Sequence, residues 1–205
     1  MKSTMFSQEQ RQTFLQYAEN GKNFLLEHVL LGPEDYRCIF LMDAEGKPKH
    51  VGDHEGYDLS ISADCFVVMG FAAYALAAKD EAAWEFAKRL GDSVWERYQS
   101  GNSRSLPYPV TSAYRSHAKP MILTNVCCEL YKAAEQFDPR YAKLLQERIG
   151  QCHREVFEVF QDEKHLIHEF KYANGDFPQH LFGQHINPGH TLEDMWFQME
   201  AAQIL

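Results

Sequence analysis

The run Asn187-Pro188-Gly189-His190-Thr191-Leu192-Glu193-Asp194-Met195-Trp196-Phe197 puts a turn, a titratable ring and a helix start into one short segment. Asn, Pro and Gly shape a tight loop, and the spacing beyond it predicts a helix from His190 to the last residue, Leu205. His190 then lies in the first turn, where its imidazole can point into a cavity. Glu193 follows three residues on and shares its face, so it can orient the ring or accept its N–H and raise its basicity. Trp196, three further along, offers an apolar, stackable wall. Base, orienter and platform on one stripe suit proton transfer near neutral pH. The plainer alternative, that His190 caps the helix while Leu192 and Trp196 pack in a core, is not separated from it by periodicity.

The segments upstream repeat a helical rhythm. Ser7 and Gln10 form a capping box for a first helix that is expected to run to about Leu31, with Phe14, Tyr17, Ala18, Phe24, Leu25 and His28 in its pattern. Gly32-Pro33 stops it. Tyr36 to Met42 reads as a short strand, Asp43 to Gly46 as a turn and Lys47 to Val51 as a return strand. A second helix from Ser60 or Ser62 through Ala75 is apolar almost all round and should be deeply buried. A third covers Asp80 to Gln99, with Trp84, Phe86, Ala87, Leu90, Val94 and Trp95 on its stripe. Pro107 and Pro109 keep the next segment irregular. A fourth helix runs from about His117 to Phe137, and Asp138-Pro139 starts a fifth that reaches about Gln161. Leu166 to Phe170 alternates like a strand before the turn Ala173-Asn174-Gly175-Asp176. Helices two and three, and four and five, are joined tightly enough to form αα-hairpins. The fold class is therefore all-α, six helices with short β-hairpins in a helical array or toroid.

Composition narrows the function. The 205 residues include 20 Lys plus Arg and 29 Asp plus Glu, a net charge of -9 with no basic cluster, which argues against nucleic acid or an anionic membrane as partner. Aromatics at 13% exclude a disordered chain. No uninterrupted apolar run approaches the roughly 18 residues of a membrane-crossing helix, and Met1 to Gln8 lacks the apolar core of a secretory signal. Five cysteines (Cys38, Cys65, Cys127, Cys128 and Cys152), with no C-x-x-C pair, speak against a disulfide framework or zinc ribbon and for a cytoplasmic protein. Five of the 10 histidines crowd into the 26 residues from His165 to His190, which marks a site.

The segment from Ile186 to Phe197 resembles the signature of the N-acylglucosamine 2-epimerase family, which includes cellobiose 2-epimerases and aldose–ketose isomerases. Asp64 to Tyr74 is similar to that family's early inner helix. Lys119-Pro120-Met121-Ile122-Leu123-Thr124-Asn125 resembles its Pro-Met helix, so the likeness spans Tyr57 to Leu205. It implies an (α/α)6 barrel around a sugar pocket. It also implies opening of the sugar to its aldehyde, removal of the C2 proton by a histidine, and return of the proton to an enediolate at C2 or C1. The motif's histidine maps onto His190 and its acid onto Glu193. The family's other catalytic histidine lies in a C-terminal half that has no counterpart here. His117 and Lys119 lie near the place where some members carry a further histidine. Where many members have an arginine on the early inner helix this chain has Asp64, which leaves Arg115 to bind a sugar oxygen. Trp196, Asn125, His117, Arg115 and Glu169 are the expected substrate contacts, Asn125 with the alternative of an ordinary helix-surface residue. No cofactor is required on this reading, and a nucleotide effector stays open.

Two further histidine groups invite a metal. His165 and His168 lie on a strand-like run where positions three apart face opposite ways; His180, His185 and His190 line a loop that a sugar cleft explains as well. No metal site is expected. Against the epimerase reading stand a sugar-binding or regulatory module without turnover, and an α/α-toroid glycoside hydrolase. The hydrolase needs two flanking carboxylates, for which only Glu193 and Glu169 are candidates. Six helices are half of a twelve-helix toroid, and the family's chains are roughly twice as long, above the usual domain size. Residues 1–205 are thus expected to be a single α/α-toroid domain, the N-terminal half of a longer fold. Its open apolar edge predicts a homodimer or association with a complementary half.

Overall fold

The computed structural model describes residues 5–106 and 110–205. The segment around Pro107 and Pro109, and residues 1–4, lie outside them. Among the described residues six α-helices carry the fold: α1 (Gln8–His28), α2 (Ile61–Ala78), α3 (Glu81–Gln99), α4 (Ala118–Phe137), α5 (Pro139–Arg154) and α6 (Pro188–Ile204). α2, α4 and α6 lie side by side as an inner layer, and α1, α3 and α5 pack on their outside. α2–α3 and α4–α5 are the two tight αα-hairpins expected. The shared core holds Phe71, Leu90, Leu130, Leu145 and Ile149, all buried.

The helix starts are written in the sequence. Ser7 and Gln10 cap α1 reciprocally at 2.9 and 3.2 Å. Asp80 accepts from Ala83 N at 3.0 Å, and Asp138, before Pro139, accepts from Tyr141 N at 3.1 Å. Both caps also tie helices together, through Lys22–Asp80 at 3.2 Å and Lys88–Asp138 at 2.6 Å.

Several expectations are corrected. α1 ends at His28, because Leu30–Gly32 (β1) pairs antiparallel with Asp35–Cys38 (β2). None of α1's residues is buried, and its apolar residues Phe14 and Tyr17 face outward. The return strand from Lys47 reduces to one bridge between Met42 and Pro48. α2 is not buried all round: Phe66, Gly70, Ala73 and Ala77 are exposed on one side. By length and composition α2, with a hydropathy of 1.8, is apolar enough to cross a membrane, although Ser62 and Asp64 interrupt its apolar run. Its inner side packs in the core, and Asp64 on it is buried against Arg97 Nη2 at 2.7 Å and Cys38 N at 3.0 Å. Burial pushes the Asp64 carboxyl pKa up, and Arg97 opposes it. This acid is a strut between α2, α3 and β2. The end of α5 widens into a π-helix, Glu155–Phe160, which helical periodicity does not distinguish from α. Of Leu166 to Phe170, Ile167 makes only a bridge to Gln161 and Phe170 alone enters a strand. The true strand is β4 (Phe170–Tyr172), paired antiparallel with β3 (Tyr114–Ser116) far back in the chain.

Gly91 tests the α3–α4 packing. A Cβ there would lie 2.7 Å from Leu130 Cδ1, a side chain that is itself buried. Gly91→Ala is expected to cost about 1–3 kcal/mol through overpacking. An unchanged urea midpoint would contradict the tight contact.

Candidate active site at the start of the sixth helix

Asn187 begins the site. Its Oδ1 accepts from Gly189 N at 3.0 Å and His190 N at 3.3 Å, so α6 starts at Pro188, two residues before the expected His190. This fixes His190 in the first turn. The β3–β4 pair brings two more ionisable residues to the same place. Ser116 pairs with Phe170, and His117 N donates to Glu169 O at 3.0 Å. Glu169 N in turn donates to His185 O at 3.0 Å.

The side chains then form a chain of charge. His190 Nδ1 lies 3.0 and 3.1 Å from the Glu169 carboxylate oxygens. A carboxylate can only accept, so Nδ1 carries the hydrogen and Nε2 is left as the nitrogen that can take up a proton. The His190 side chain is 37% exposed, whereas that of Glu169 is 5% exposed. Behind them His117, with no exposed side-chain surface, places Nε2 2.7 Å from Asp194 Oδ2. Its Nδ1 is 3.6 Å from Glu169 Oε1, an ion-pair distance longer than a hydrogen bond. Burial alone would lower the His117 pKa, but Asp194 and Glu169 outweigh it and hold it up at about 9. Burial likewise pushes Glu169 up, and its two histidines outweigh that and set it below the ordinary carboxylate value. Gln198 Nε2 donates to Asp194 Oδ1 at 2.8 Å, and its Oε1 is 2.9 Å from His153 Nδ1.

The sequence-derived residues are only partly gathered here. His190, Glu169 and His117 come together. Glu193 does not orient His190: it is exposed on α6, and Glu169 is the carboxylate that holds the ring. His117 is corrected from a substrate contact to a buried support. Trp196 is 55% exposed on the face of α6 beyond His190, free to serve as a wall. Asn125 is buried on α4 with its Oδ1 unpaired. Arg115 belongs to a separate group. It pairs with Glu155 at 2.6 Å, and Glu155 also accepts from the Tyr98 hydroxyl. These residues and Lys119 line a polar cavity of about 460 Å³ whose lining does not include His190. Burial lowers the Lys119 pKa. Of the other histidines, His168 bridges Asp162 at 3.0 Å and Gly183 O at 3.1 Å, and His180 packs on Tyr114 and Tyr172. Among the described residues no three His, Cys, Asp or Glu side chains converge as a metal-binding group would.

Asp194 is the residue that sequence reasoning missed. Its signal was available: Asp194, Phe197, Gln198 and Ala201 follow the i, i+3, i+4, i+7 spacing of the buried face of α6, so an acid stood where an apolar residue belongs.

Comparison with known proteins points to one family. The family model for N-acylglucosamine 2-epimerase matches residues 3–204. The rat protein named N-acylglucosamine 2-epimerase is 25% identical over 199 residues, which is 96% of this chain and 45% of that protein. The bovine protein of that name is 26% identical over the same span and coverage. A solved cellobiose 2-epimerase from Bacillus thermoamylovorans superimposes with a TM-score of 0.72 at 17% identity, covering 94% of this chain and 50% of that one. The cellobiose 2-epimerase of Spirochaeta thermophila gives 0.69 at 16% identity, with 93% and 47% coverage. The chain thus spans about half the length of the curated relatives it matches.

Proposed function

The chain belongs to the N-acylglucosamine 2-epimerase family, and from that premise we propose that it provides the acid/base half of a carbohydrate 2-epimerase or aldose–ketose isomerase. The single observation that carries this is His190 held through Nδ1 by Glu169 on a partly open ring, with no hydrogen bond to its other nitrogen among the described residues. In the open-chain sugar the C2 hydrogen is acidified by the neighbouring carbonyl. His190 Nε2 removes it, and the electron pair moves into an enediolate. Return of that proton from His190 to C1 gives the isomer; the epimer needs a proton delivered to the opposite face of C2 by a second acid, which the complementary half would supply. The chemistry so written uses a base, an acid and polar groups for the enediolate oxygens, with no metal or redox cofactor. Trp196 and Glu193, exposed on α6 close to His190 in sequence, are the contacts proposed for the sugar. Deuterium wash-in at C2 of N-acetylmannosamine, mannose or cellobiose is the test; sugar binding without any exchange would favour the second reading, a binding module. That reading draws on the chain's half-length relative to its named epimerase relatives.

We further propose self-association or docking of a complementary half. An apolar groove of about 370 Å³ runs between α1 and α2, lined by Phe14, Leu15, Ala18, Gly70, Ala73 and Ala77. At the other end of the inner layer, α6 exposes Leu192 and Met199. Monomeric soluble chains rarely leave two such edges open. Sedimentation velocity is expected to show a dimer that Phe14→Glu weakens by at least about tenfold in Kd, roughly 1.4 kcal/mol. A monomeric native chain would end this proposal. We place the protein in the cytoplasm, in keeping with its five unpaired, buried cysteines.

A further inference from the structure

His117 is an unusual group to find at the back of such a site. It has no exposed side-chain surface, yet it is faced by two carboxylates: Asp194 from α6 and Glu169 from the residue before β4. Those are the charged groups that act on it; the ring of Phe160, in the π-helix, lies 5.8 Å away. A neutral imidazole has one N–H and could serve only one of them. Burial of two carboxylates around a neutral ring would leave charge uncompensated, at a cost of several kcal/mol. An imidazolium serves both. The second of those carboxylates is the one that holds His190.

We propose that His117 is a positioning residue: as a buried imidazolium it keeps Glu169 ionised and in place to accept the Nδ1 hydrogen of His190. This rests on the reading of His190 as the acid/base. The consequence is electrostatic as well as geometric. Glu169 faces two rings, His190 Nδ1 at 3.0 Å and His117 Nδ1 at 3.6 Å. Remove the His117 charge and Glu169 acts on His190 alone, stabilising its protonated form, which cannot accept the C2 hydrogen.

Three measurements on the chain decide this. The first uses ring-nitrogen NMR of the native protein with labelled histidine. The resonances of His117, assigned by their loss in His117→Gln, are expected to be those of an imidazolium at pH 8, and in Asp194→Asn those of a neutral ring. A neutral His117 ring in the native protein at pH 7.5 overturns the proposal without reference to catalysis. The second is the pH profile of C2 exchange. In His117→Gln its acid limb is expected to move up by about one pH unit, a tenfold loss of rate on that limb, with KM changed less than twofold. Substitution that merely loosened the fold would lower the rate and leave the limb in place, and an unmoved limb overturns the positioning role. If His117→Gln does not fold, Asp194→Asn takes its place, with the same shift expected because the imidazolium loses its 2.7 Å partner. The third is His190→Asn. If it keeps full exchange, the acid/base reading falls and this inference falls with it. If it abolishes exchange while the limb in His117→Gln stays fixed, only the inference falls.

Discussion

Replacement of His190 by Asn is expected to reduce C2 proton exchange by about 10²- to 10⁴-fold, the usual worth of a positioned general base. The substitution is chosen for what it keeps. An Asn side-chain N–H occupies nearly the position of the imidazole Nδ1–H, so Glu169 retains a donor, now an amide in place of the ring at 3.0 Å. What disappears is Nε2. The His190 ring is 37% exposed and is not a core residue, so the stability is expected to change by no more than about 0.5 kcal/mol. Loss of exchange with an unchanged urea midpoint and unchanged sugar affinity would assign the proton transfer to Nε2. Exchange retained within threefold would remove His190 from that role.

The second large effect is on stability against pH. The His117 pKa stands at about 9 in the folded chain, against an ordinary 6.5, with burial opposing and Asp194 and Glu169 outweighing it. A raised pKa means that the folded state binds this proton more tightly. The stabilisation is therefore fully present below about pH 6.5 and is lost as pH rises through about 9. The gap corresponds to about 3 kcal/mol. It belongs to the whole His117–Asp194–Glu169 cluster and is not to be added to any separate value for the carboxylates. Glu169 acts at the other end. Its pKa is lowered below the ordinary 4.5, so its contribution is present above that value and lost as pH falls through the folded value. Urea unfolding should give a plateau between about pH 4.5 and 6.5 and an alkaline decline to pH 9. In His117→Gln the plateau should be lower and the alkaline decline absent. The same decline in both proteins would place its origin elsewhere.

Helix order, capping and the αα-hairpins were legible because each depends on neighbours in sequence. Ser7 and Asp138 cap as read; Asp80 and Asn187 also cap, where the reading had placed a first helical residue and a loop. The strands were less so, because β3 and β4 stabilise each other across a long intervening stretch and neither has a pattern of its own at three residues each. Burial on α2 was overestimated for a related reason: hydropathy reports what a face could bury, and Phe66 and Gly70 stay exposed on it. At the site, the helix start and His190 were readable, but the partner was not. Glu193 has helical spacing to its credit; Glu169 has the tertiary position, supplied by the β3–β4 pairing. His117 was expected to contact substrate near the Pro-Met helix, and only the packing of α6 shows it buried against Asp194.

The β3–β4 pairing also sets a timetable. Most helices here pack against partners adjacent in sequence, contacts that close quickly and can form as the chain emerges from the ribosome. α2–α3 and α4–α5 can assemble in that way. The cluster cannot. When His117 has been synthesised, the chain must still grow by more than fifty residues before Glu169 exists, and further again before Asp194 does. During that interval the imidazole has neither carboxylate and no reason to stay charged in an apolar setting. The cluster is thus completed only when α6 docks and brings Asp194 against the buried ring.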